Sequence, residues 1–495
     1  MKAQKKIVII GGGVAGLSCG IYSRLNGYDT QIIDMHTKAG GQCTAWSRKG
    51  YRFDYCLHWV VGTARGPFYD IWKETGALND QVEIVDHEIS MKFMGEEGDD
   101  FYIYTNIDRW EEYLISIAPE DRVPVSKMCN AMRKTFRVAP FANPPGLRTI
   151  AEYLGAIKMM PLMGIWIKHS KQACKDYFKE LNFKNARMLK FFNTFYAEED
   201  FSAMVFLMML SWFGQKNAGY PMGGSEPFTS RMAKRFGDLG GDLTLGKKVQ
   251  KINVEGDVVK GVTLHDGTVI ESDYVVSAAD GYSTIFDMLD GRYVTKQINE
   301  AYKSWKLFSP FVQVSFGIKK IINTECVTQF MLARHKMIGR TRLDLGYSVM
   351  NYAFDRTMAP EGKSVMVLRY DTPWELWEHL NDAEYRAEKE LIATETLSLM
   401  EKHFPGISAD IEVTDIATPL TGVRYTGVWK GAYEGFLPSS KNLGKNIEMT
   451  LPGLKNFYMA GQWLFPGGGV PPAGQSGKWV AQYLCKKDRK AFKTQ

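Results

Sequence analysis

Residues 5–34 read KKIVIIGGGVAGLSCGIYSRLNGYDTQIID, and this stretch decides the fold. The apolar run at residues 5–10 predicts a short buried strand, which leads directly into a glycine-rich turn. Residues 14–25 then predict a helix, and residues 30–33 predict a second strand that ends at an acidic residue. This order of strand, glycine turn, helix and strand is typical of an α/β domain that binds a dinucleotide.

The turn carries a G-x-G-x-x-G pattern at Gly11, Gly13 and Gly16. The first glycine allows the tight turn, the second lets a pyrophosphate approach the backbone, and the third lets the helix pack on the strand. Val14 and Ala15 begin the predicted helix, where free N–H groups and the helix dipole favour phosphate. The turn is therefore expected to bind the pyrophosphate of a dinucleotide.

Asp34 closes the second predicted strand, 18 residues after the last glycine of the pattern. A carboxylate in this position binds ribose hydroxyls and repels the 2′-phosphate of NADP, so NAD or FAD is expected. The next residues favour FAD. Gly40-Gly41-Gln42, followed by residues 50–54, resemble the second glycine motif of flavoproteins that carry two dinucleotide-binding motifs.

The bulk composition is that of a globular protein with two or three domains. The chain has 495 residues, of which 45% are hydrophobic and 23% are charged. The net charge of +6 is spread along the chain, and no Lys/Arg stripe is interleaved with stacking aromatic residues. No nucleic-acid partner is therefore expected.

The seven cysteines form no C-x-x-C pair. This argues against a disulfide framework, a zinc site and a redox-active dithiol. The glycine motif begins where the apolar region of a secretory signal would lie, so a cytoplasmic location is expected.

Two methionine-rich apolar stretches, residues 157–167 and 203–213, are shorter than the ~18 residues that a membrane span needs. They are either core helices or an adaptable apolar wall for a long hydrophobic substrate. Methionine suits the second role because its flexible side chain adapts to irregular shapes. Lys158, Lys168 and Lys171 flank the first stretch, as in a segment that contacts a membrane surface.

The chain organisation predicts a discontinuous nucleotide-binding domain. Residues 85–220 are helix-rich in pattern, whereas a run of strands fills residues 248–280. A strand at residues 456–460 and a helix from about Ser476 to Cys485 return to the nucleotide-binding pattern. The predicted domains are 1–85, 221–290 and 440–495 for the nucleotide, and 86–220 and 291–439 for the substrate. A second G-x-G-x-x-G after a strand is missing, which argues against a separate nicotinamide domain.

Taken together, these segments resemble the phytoene desaturase-like family of flavoproteins, which includes carotenoid isomerases and retinol saturases. The residues on which this resemblance rests are Gly11–Gly16 with Asp34, Gly40-Gly41, Gly50–Asp54, Tyr220–Gly224, Gly240–Ile252, Ala278–Asp280 and Gly461–Gly469. The resemblance implies an FAD-binding Rossmann-like domain with an inserted mixed α+β substrate domain. It also implies hydrogen transfer between FAD and long polyenes, or isomerisation of polyenes with FAD as helper.

The resemblance further implies that Val249 lies near the adenine, with a plain core valine as the alternative. It also implies that Gly461, Gln462, Trp463, Gly469 and Val470 lie near the flavin. Residues 424–432 are expected either to line the substrate face of the flavin or to form a structured loop.

Two features depart from the family pattern. Gln42 stands where the family usually has an arginine, which removes a guanidinium near the pyrophosphate. His58 and its aromatic neighbour Trp59 follow Asp54, where desaturases place small residues, and this favours a saturase-like member. His58 is the candidate for proton traffic, because imidazole titrates near neutral pH; the alternative is a histidine that packs or orients. Cys56 has no evident partner for redox chemistry.

The sequence thus predicts an FAD-dependent oxidoreductase that acts on carbon–carbon double bonds of a long hydrophobic polyene or lipid. Oxygen, a quinone or a separate reductase would each serve as the external electron partner. A flavin amine oxidase-like enzyme and a non-redox lipid escort remain alternatives. The protein is expected in the cytoplasm, with contact to a membrane surface as a further possibility, and without a metal site.

Overall fold

The computed structural model of the chain describes residues 4–95, 98, 100–136, 141–194 and 200–495. The strands are β1 (Lys6–Ile10), β2 (Asp29–Ile33), β3 (Ala45–Arg48), β4 (Tyr51–Asp54), β5 (Ile84–Val85), β6 (Ile89–Met94), β7 (Phe101–Tyr104), β8 (Tyr220–Pro221), β9 (Asp242–Thr244), β10 (Val249–Glu255), β11 (Val258–Leu264), β12 (Val269–Glu271), β13 (Tyr274–Ser277), β14 (Phe311–Ile318), β15 (Val327–Met331), β16 (Lys336–Ile338), β17 (Thr341–Leu343), β18 (Gly346–Asn351), β19 (Ser364–Asp371), β20 (Ile411–Ala417) and β21 (Phe457–Met459). The α-helices are α1 (Val14–Leu25), α2 (Pro67–Glu74), α3 (Ile107–Ile117), α4 (Arg122–Thr135), α5 (Ile150–Lys158), α6 (Met160–Ser170), α7 (Cys174–Leu181), α8 (Ala186–Thr194), α9 (Ala203–Gly214), α10 (Ser225–Asp238), α11 (Lys296–Ser304), α12 (Asp382–His403), α13 (Pro419–Thr426) and α14 (Val470–Lys487).

A five-stranded parallel sheet is built around β1, in the order β21-β13-β1-β2-β9. Ile7, Val8 and Ile9 are fully buried, as expected for a parallel strand that is covered on both faces. Helix α1 packs against α10 and α14 beside this sheet. The α/β fold class predicted from the sequence is confirmed.

A seven-stranded sheet forms the second layer, in the order β20-β14-β19-β18-β15-β6-β7. Its pairs are antiparallel except for β6 with β15. Strand β14 lies between β20 and β19, and helix α12 packs against β20. The β3–β4 hairpin reaches this sheet, because the Trp46 indole N–H donates to Asp415 on β20 at 3.0 Å.

The region 85–220 is less uniformly helical than its pattern predicts. It contains helices α3 to α9, but also the hairpin of β6 and β7. On β7, Phe101 and Ile103 are buried while Tyr102 and Tyr104 are half-buried. This two-residue alternation is that of a strand with one face in the core. An alternation over only four residues is too short to be distinguished from the helical pattern around it.

Helix α14 begins six residues earlier than predicted, at Val470 rather than Ser476. Pro471 and Pro472 come directly after Val470, and two consecutive prolines in a sequence usually argue against a helix. Proline is nevertheless compatible with the first helical turn, where its missing N–H group would have no partner.

The division into domains remains a prediction. The parallel sheet takes its strands from residues 6–33, 242–277 and 457–459.

The two methionine-rich stretches differ from each other in the structure. Residues 203–213 form α9, which buries Met204, Phe206 and Leu207. Residues 157–167 do not form one core helix: α5 ends at Lys158 and α6 begins at Met160, with a bend of 83°. Among the described residues, no single helix is long and apolar enough to cross a membrane, although α5 and α6 together have the required length and composition.

Candidate active site

A cavity of about 1110 Å³ opens at the carboxyl ends of the parallel strands. Its wall includes Gly11 after β1, Asp34 after β2, Ala278 after β13 and Gly461 after β21. A crevice at this edge of a parallel sheet is the usual ligand position in an open α/β fold. The four separate chain segments therefore converge on one candidate site.

The glycine turn has the geometry that its spacing predicts. Gly11 has a φ of +98°, which favours glycine. A Cβ at Gly16 would lie 1.9 Å from the Gly11 carbonyl oxygen, so this position allows no side chain. Gly13 is the N-cap of α1, and no side chain caps the helix. The first-turn N–H groups, with Val14 and Ala15 at the cavity wall, remain available to an anion.

Asp34 is held at the end of β2 with its carboxylate against the glycine turn. The amide of Gly12 donates to Oδ2 at 2.6 Å, and the amide of His36 donates to Oδ1 at 2.7 Å. Burial raises the pKa of Asp34, while these two amide hydrogen bonds oppose the shift. The carboxylate lies at the cavity edge, where ribose hydroxyls are expected.

The second glycine motif lies against the first. The Gly40 amide donates to the Gly12 carbonyl oxygen at 2.9 Å, and Gly40, Gly41 and Gln42 all line the cavity. The Gln42 side-chain amide donates to Thr426 Oγ1 at 2.8 Å. Gln42 Oε1 is buried and has no hydrogen-bond partner in the described part of the chain. A buried oxygen in this state requires a donor, which a ligand in the cavity would supply.

The remaining predicted cofactor residues lie in the same cavity wall. They are Val249, Gly461, Gln462, Gly469 and Val470. Gly16 does not line the cavity, which agrees with the packing role that the sequence predicts for it. Of residues 424–432, Tyr425 to Val428 line the cavity. Direct contact of any of these residues with a nucleotide remains a prediction.

The far end of the cavity is apolar. Helix α9 contributes Val205, Met209, Leu210 and Phe213, and the second sheet contributes Met91, Phe93, Ile103, Val327 and Met350. Leu343 on β17 completes this wall. One face of α9 is therefore core and the other is cavity wall, while contact of this wall with a substrate stays a prediction.

His58 lies in the loop after β4, which is fixed by the buried Asp54. The Asp54 carboxylate accepts hydrogen bonds from the amides of Cys56, Leu57 and Ser225. His58 lines the cavity, with Nδ1 3.3 Å from the Cys56 carbonyl oxygen. Burial, and next the field of Arg369, lower the pKa of His58 to about 4. The imidazole is therefore neutral at pH 7, and its role in proton traffic remains a prediction.

The expectation that Cys56 lacks a nearby cysteine is wrong. Cys43 and Cys56 both line the cavity, and a hydrogen bond from Cys56, together with burial, raises the pKa of Cys43. Cys43 precedes β3 and Cys56 follows β4, so the hairpin brings the two thiols together although they are 13 positions apart in the sequence. The thiols are free, and a raised pKa disfavours the reactive thiolate.

Two charged residues that the sequence analysis missed face the cavity between its two ends. Arg369 on β19 has its guanidinium Nη2 2.6 Å from the Tyr55 carbonyl oxygen and 2.7 Å from Gln313 Oε1. Glu434 lines the cavity close to the glycine turn at residues 467–469. A sequence signal existed for Glu434, since the loop at 424–432 was expected at the flavin and ends two residues earlier.

Trp463, which follows Gln462, lines the cavity as well. Trp463 packs against Trp429, Tyr302 and Phe436, with ring centroids 5.4–6.3 Å apart. It is therefore part of a packed aromatic cluster as well as of the cavity wall. In the described parts of the chain, no group of three or more His, Cys, Asp or Glu side chains could hold a metal ion.

The fold and the site define a dinucleotide-binding α/β protein with a second, antiparallel sheet over the same cavity. Comparison with known proteins makes this class specific. The family described as flavin containing amine oxidoreductase matches residues 14–485, and the chain belongs to this family.

The chain is 22% identical to prolycopene isomerase of Daucus carota, over 97% of this chain and 79% of the relative. It is 24% identical to the lycopene-forming phytoene desaturase of Paracoccus sp. (strain N81106 / MBIC 01143), over 97% of each chain. A solved oxidoreductase from Methanosarcina mazei has a TM-score of 0.63 at 15% identity, covering 96% of this chain and 100% of the other.

These findings confirm the resemblance to the phytoene desaturase-like flavoproteins. The chain is an FAD-dependent oxidoreductase. The cavity fits this cofactor, because the uncapped α1 terminus, the Asp34 carboxylate and the orphaned Gln42 Oε1 supply the groups that a dinucleotide needs. FAD supplies two-electron oxidation and reduction when it is bound. The non-redox escort is therefore not retained.

Proposed function

We propose that the protein transfers hydrogen between FAD and carbon–carbon bonds of a long hydrophobic polyene, by desaturation, saturation or isomerisation. The observation that carries this proposal is the continuity of one cavity from Asp34, at the nucleotide end, to the apolar wall of α9. A mostly apolar wall suits a substrate without polar groups along its length. The names of the relatives, prolycopene isomerase and phytoene desaturase, support the same substrate class.

The test is product analysis after incubation of the FAD-loaded protein with phytoene and with prolycopene, with oxygen or a quinone as electron acceptor. A second set uses the chemically reduced protein without an acceptor. Loss of two hydrogens identifies a desaturase, gain of two identifies a saturase, and a change of double-bond geometry alone identifies an isomerase. Unchanged polyenes in every set would contradict the proposal.

Amine oxidation is the alternative activity on the same framework. It predicts hydrogen peroxide release from a panel of primary and secondary amines under air. The apolar lining at α9 favours the polyene substrate over a short amine. Peroxide formation with an amine, and no reaction with polyenes, would replace the main proposal.

We further propose that the surface of α5 and α6, called here the apolar hairpin, contacts an anionic lipid bilayer. Leu154, Ile157 and Met160 are 55%, 58% and 63% exposed, an unusual density of apolar side chains on consecutive turns. Lys168 and Lys171 are exposed at the end of α6 and suit anionic headgroups. Helix α6 packs on α9, so the proposed contact is adjacent to the apolar end of the cavity.

The contact is tested by flotation with vesicles of phosphatidylcholine and phosphatidylglycerol. Replacing Leu154, Ile157 and Met163 together by glutamate is expected to abolish flotation. The matched control replaces Ile321, Met337 and Leu391, which are exposed apolar residues outside α5 and α6, and is expected to float as the wild type does. Equal flotation of both triple variants would contradict a contact through the apolar hairpin.

A further inference from the structure

Glu434 is a carboxylate at the cavity wall that has no partner among the residues that the structure describes. It lines the cavity, and its side chain is half-buried. Within the part of the chain that the structure describes, no group forms a hydrogen bond or an ion pair with its carboxylate. Burial of a carboxylate without a partner disfavours its charged form. Such a group has no structural benefit, which points to a functional one.

The position of Glu434 is fixed by backbone contacts with the glycine turn before α14. A Cβ at Gly468 would lie 2.1 Å from the Glu434 carbonyl oxygen, so only glycine allows this approach. Glu434 Oε1 lies 3.4 Å from the Cβ position of Gly469. The carbonyl oxygen of the preceding Tyr433 accepts a hydrogen bond from Gln462 Nε2 at 2.8 Å. The carboxylate thus adjoins the segment at 461–470, which is expected at the flavin.

Arg369 is the charged group that acts on Glu434 from the neighbouring sheet. It forms no ion pair with Glu434, because its guanidinium is bound to Gln313 and Tyr55. Its field acts on the pKa of both Glu434 and His58, so the three groups share one section of the cavity. Arg369 therefore stabilises the carboxylate without neutralising it.

Titratable groups of the cavity wall next to this section include Tyr55, Cys56, Tyr433 and Asp371. Tyr433 has a pKa raised by burial and next by Glu434, so this phenol stays protonated at neutral pH. Burial raises the pKa of Glu434 to about 7, with Arg369 opposing the shift. The carboxyl group is thus close to half-ionised at neutral pH, which suits a group that both takes and gives protons.

We propose that Glu434 is the catalytic residue that exchanges a proton with the substrate during hydrogen transfer. The inference rests on the proposed function. In a dehydrogenation, one C–H bond of the substrate breaks and its hydride goes to the bound FAD. The adjacent C–H bond breaks, its proton goes to the Glu434 carboxylate, and its electron pair forms the C=C bond. In a saturation, the same proton and hydride move in the opposite direction.

Glu434 and His58 make different predictions for the pH dependence. The His58 imidazole has a pKa of about 4 and holds a proton poorly at neutral pH. A reaction that needs the Glu434 carboxylate accelerates as the pH rises through about 7. A reaction that needs the protonated acid slows over the same range. Proton exchange through His58 would instead place the midpoint near 4.

The experiment compares the wild type with Glu434→Gln and His58→Gln. Glu448→Gln is the matched control, since Glu448 is exposed in the same C-terminal region. FAD content and thermal unfolding confirm that each variant is folded. The first readout is the pH dependence of the visible FAD spectrum without substrate. The second is the pH profile of the reaction with phytoene or prolycopene.

The expected spectral result is a transition near pH 7 in the wild type and in Glu448→Gln, absent in Glu434→Gln. The expected rate of Glu434→Gln is about 10²- to 10⁴-fold lower and flat around pH 7, while His58→Gln keeps the midpoint near 7. A Glu434→Gln variant with the wild-type rate and pH profile would overturn the inference while the proposed function stands. Absence of any wild-type reaction with polyenes would overturn the proposed function and the inference together.

Discussion

At the scale of single residues, the cavity combines backbone groups that hold a nucleotide with two side chains, Arg369 and Glu434, that control charge. The nucleotide residues could be predicted because their signals are local: Asp34 follows a strand at a fixed distance from Gly11 and Gly13. Arg369 could not, because only the folding of the second sheet brings β19 to the cavity, and the signal for Glu434 was limited to its place two residues after the loop at 424–432.

The half-buried carboxyl group of Glu434 is expected to lower the stability of the folded protein. Its pKa is about 7 in the folded protein and near 4.5 in the unfolded chain. The unfolded state therefore loses its proton first as the pH rises, so this group lowers stability between pH 4.5 and 7 and keeps the full penalty above 7. From 1.36 kcal/mol per pKa unit, the penalty is about 3 kcal/mol.

Glu434→Gln, without FAD, is expected to unfold at a higher temperature than the wild type at pH 8, with the difference shrinking towards pH 5. The measurement is thermal unfolding of both proteins across this range. A difference that is independent of pH would show that the carboxyl group is not perturbed by burial.

Asp34 provides a second prediction at this scale. Asp34→Asn keeps the shape but removes the charge that attracts ribose hydroxyls and accepts the Gly12 amide. Hydrogen bonds to charged groups contribute about 1.5–3 kcal/mol, so FAD affinity is expected to fall by about 10- to 100-fold. Titration of the apoprotein with FAD measures this. Asp29→Asn, exposed at the start of the same strand, is the control and should bind as the wild type does.

At the scale of elements, helix α1 matches its predicted bounds because a glycine turn precedes it and Asn26-Gly27 follows it. The start of α14 was predicted too late, since Pro471 and Pro472 have opposite meanings inside a helix and in its first turn. A local signal such as the glycine turn thus predicts where a helix begins. Proline does not, because it is compatible both with a break in a helix and with its first turn.

Gly16→Ala tests the packing of α1 on β1. The added Cβ would overlap the Gly11 carbonyl oxygen, so the turn must deform and the phosphate site with it. The expected result is a lower unfolding temperature and loss of FAD from the purified protein. Gly237→Ala in α10 is the control, because no atom lies within 4 Å of its Cβ position; it should gain up to about 1 kcal/mol. Normal FAD content in Gly16→Ala would contradict this account of the turn.

At the scale of the whole molecule, the discontinuous parallel sheet was predictable in outline. Its apolar runs at 6–10 and 274–277 predict buried strands, and the glycines at 461 and 467–469 predict a second nucleotide-binding segment. The seven-stranded sheet was not predictable as a unit, because it joins β6 and β7 to strands more than 200 residues away. Long-range pairing leaves no periodic signal in a single sequence.

Val205→Trp tests whether the two ends of the cavity act separately. The indole would fill the apolar end beside α9 without reaching Asp34. FAD content is expected to stay at the wild-type value, while polyene binding weakens at least about tenfold because the space is lost. Val123→Trp, on the exposed face of α4, is the control. Loss of FAD in Val205→Trp alone would mean that the two ends are not independent.

The most direct test of the central claim is an anaerobic single-turnover experiment that follows the visible band of the bound flavin. The account predicts that phytoene bleaches the band of the oxidised wild-type protein, or that a conjugated polyene restores the band of the reduced protein, and that Val205→Trp responds far less. A band that responds to amines and to no polyene, in either direction, would contradict the account.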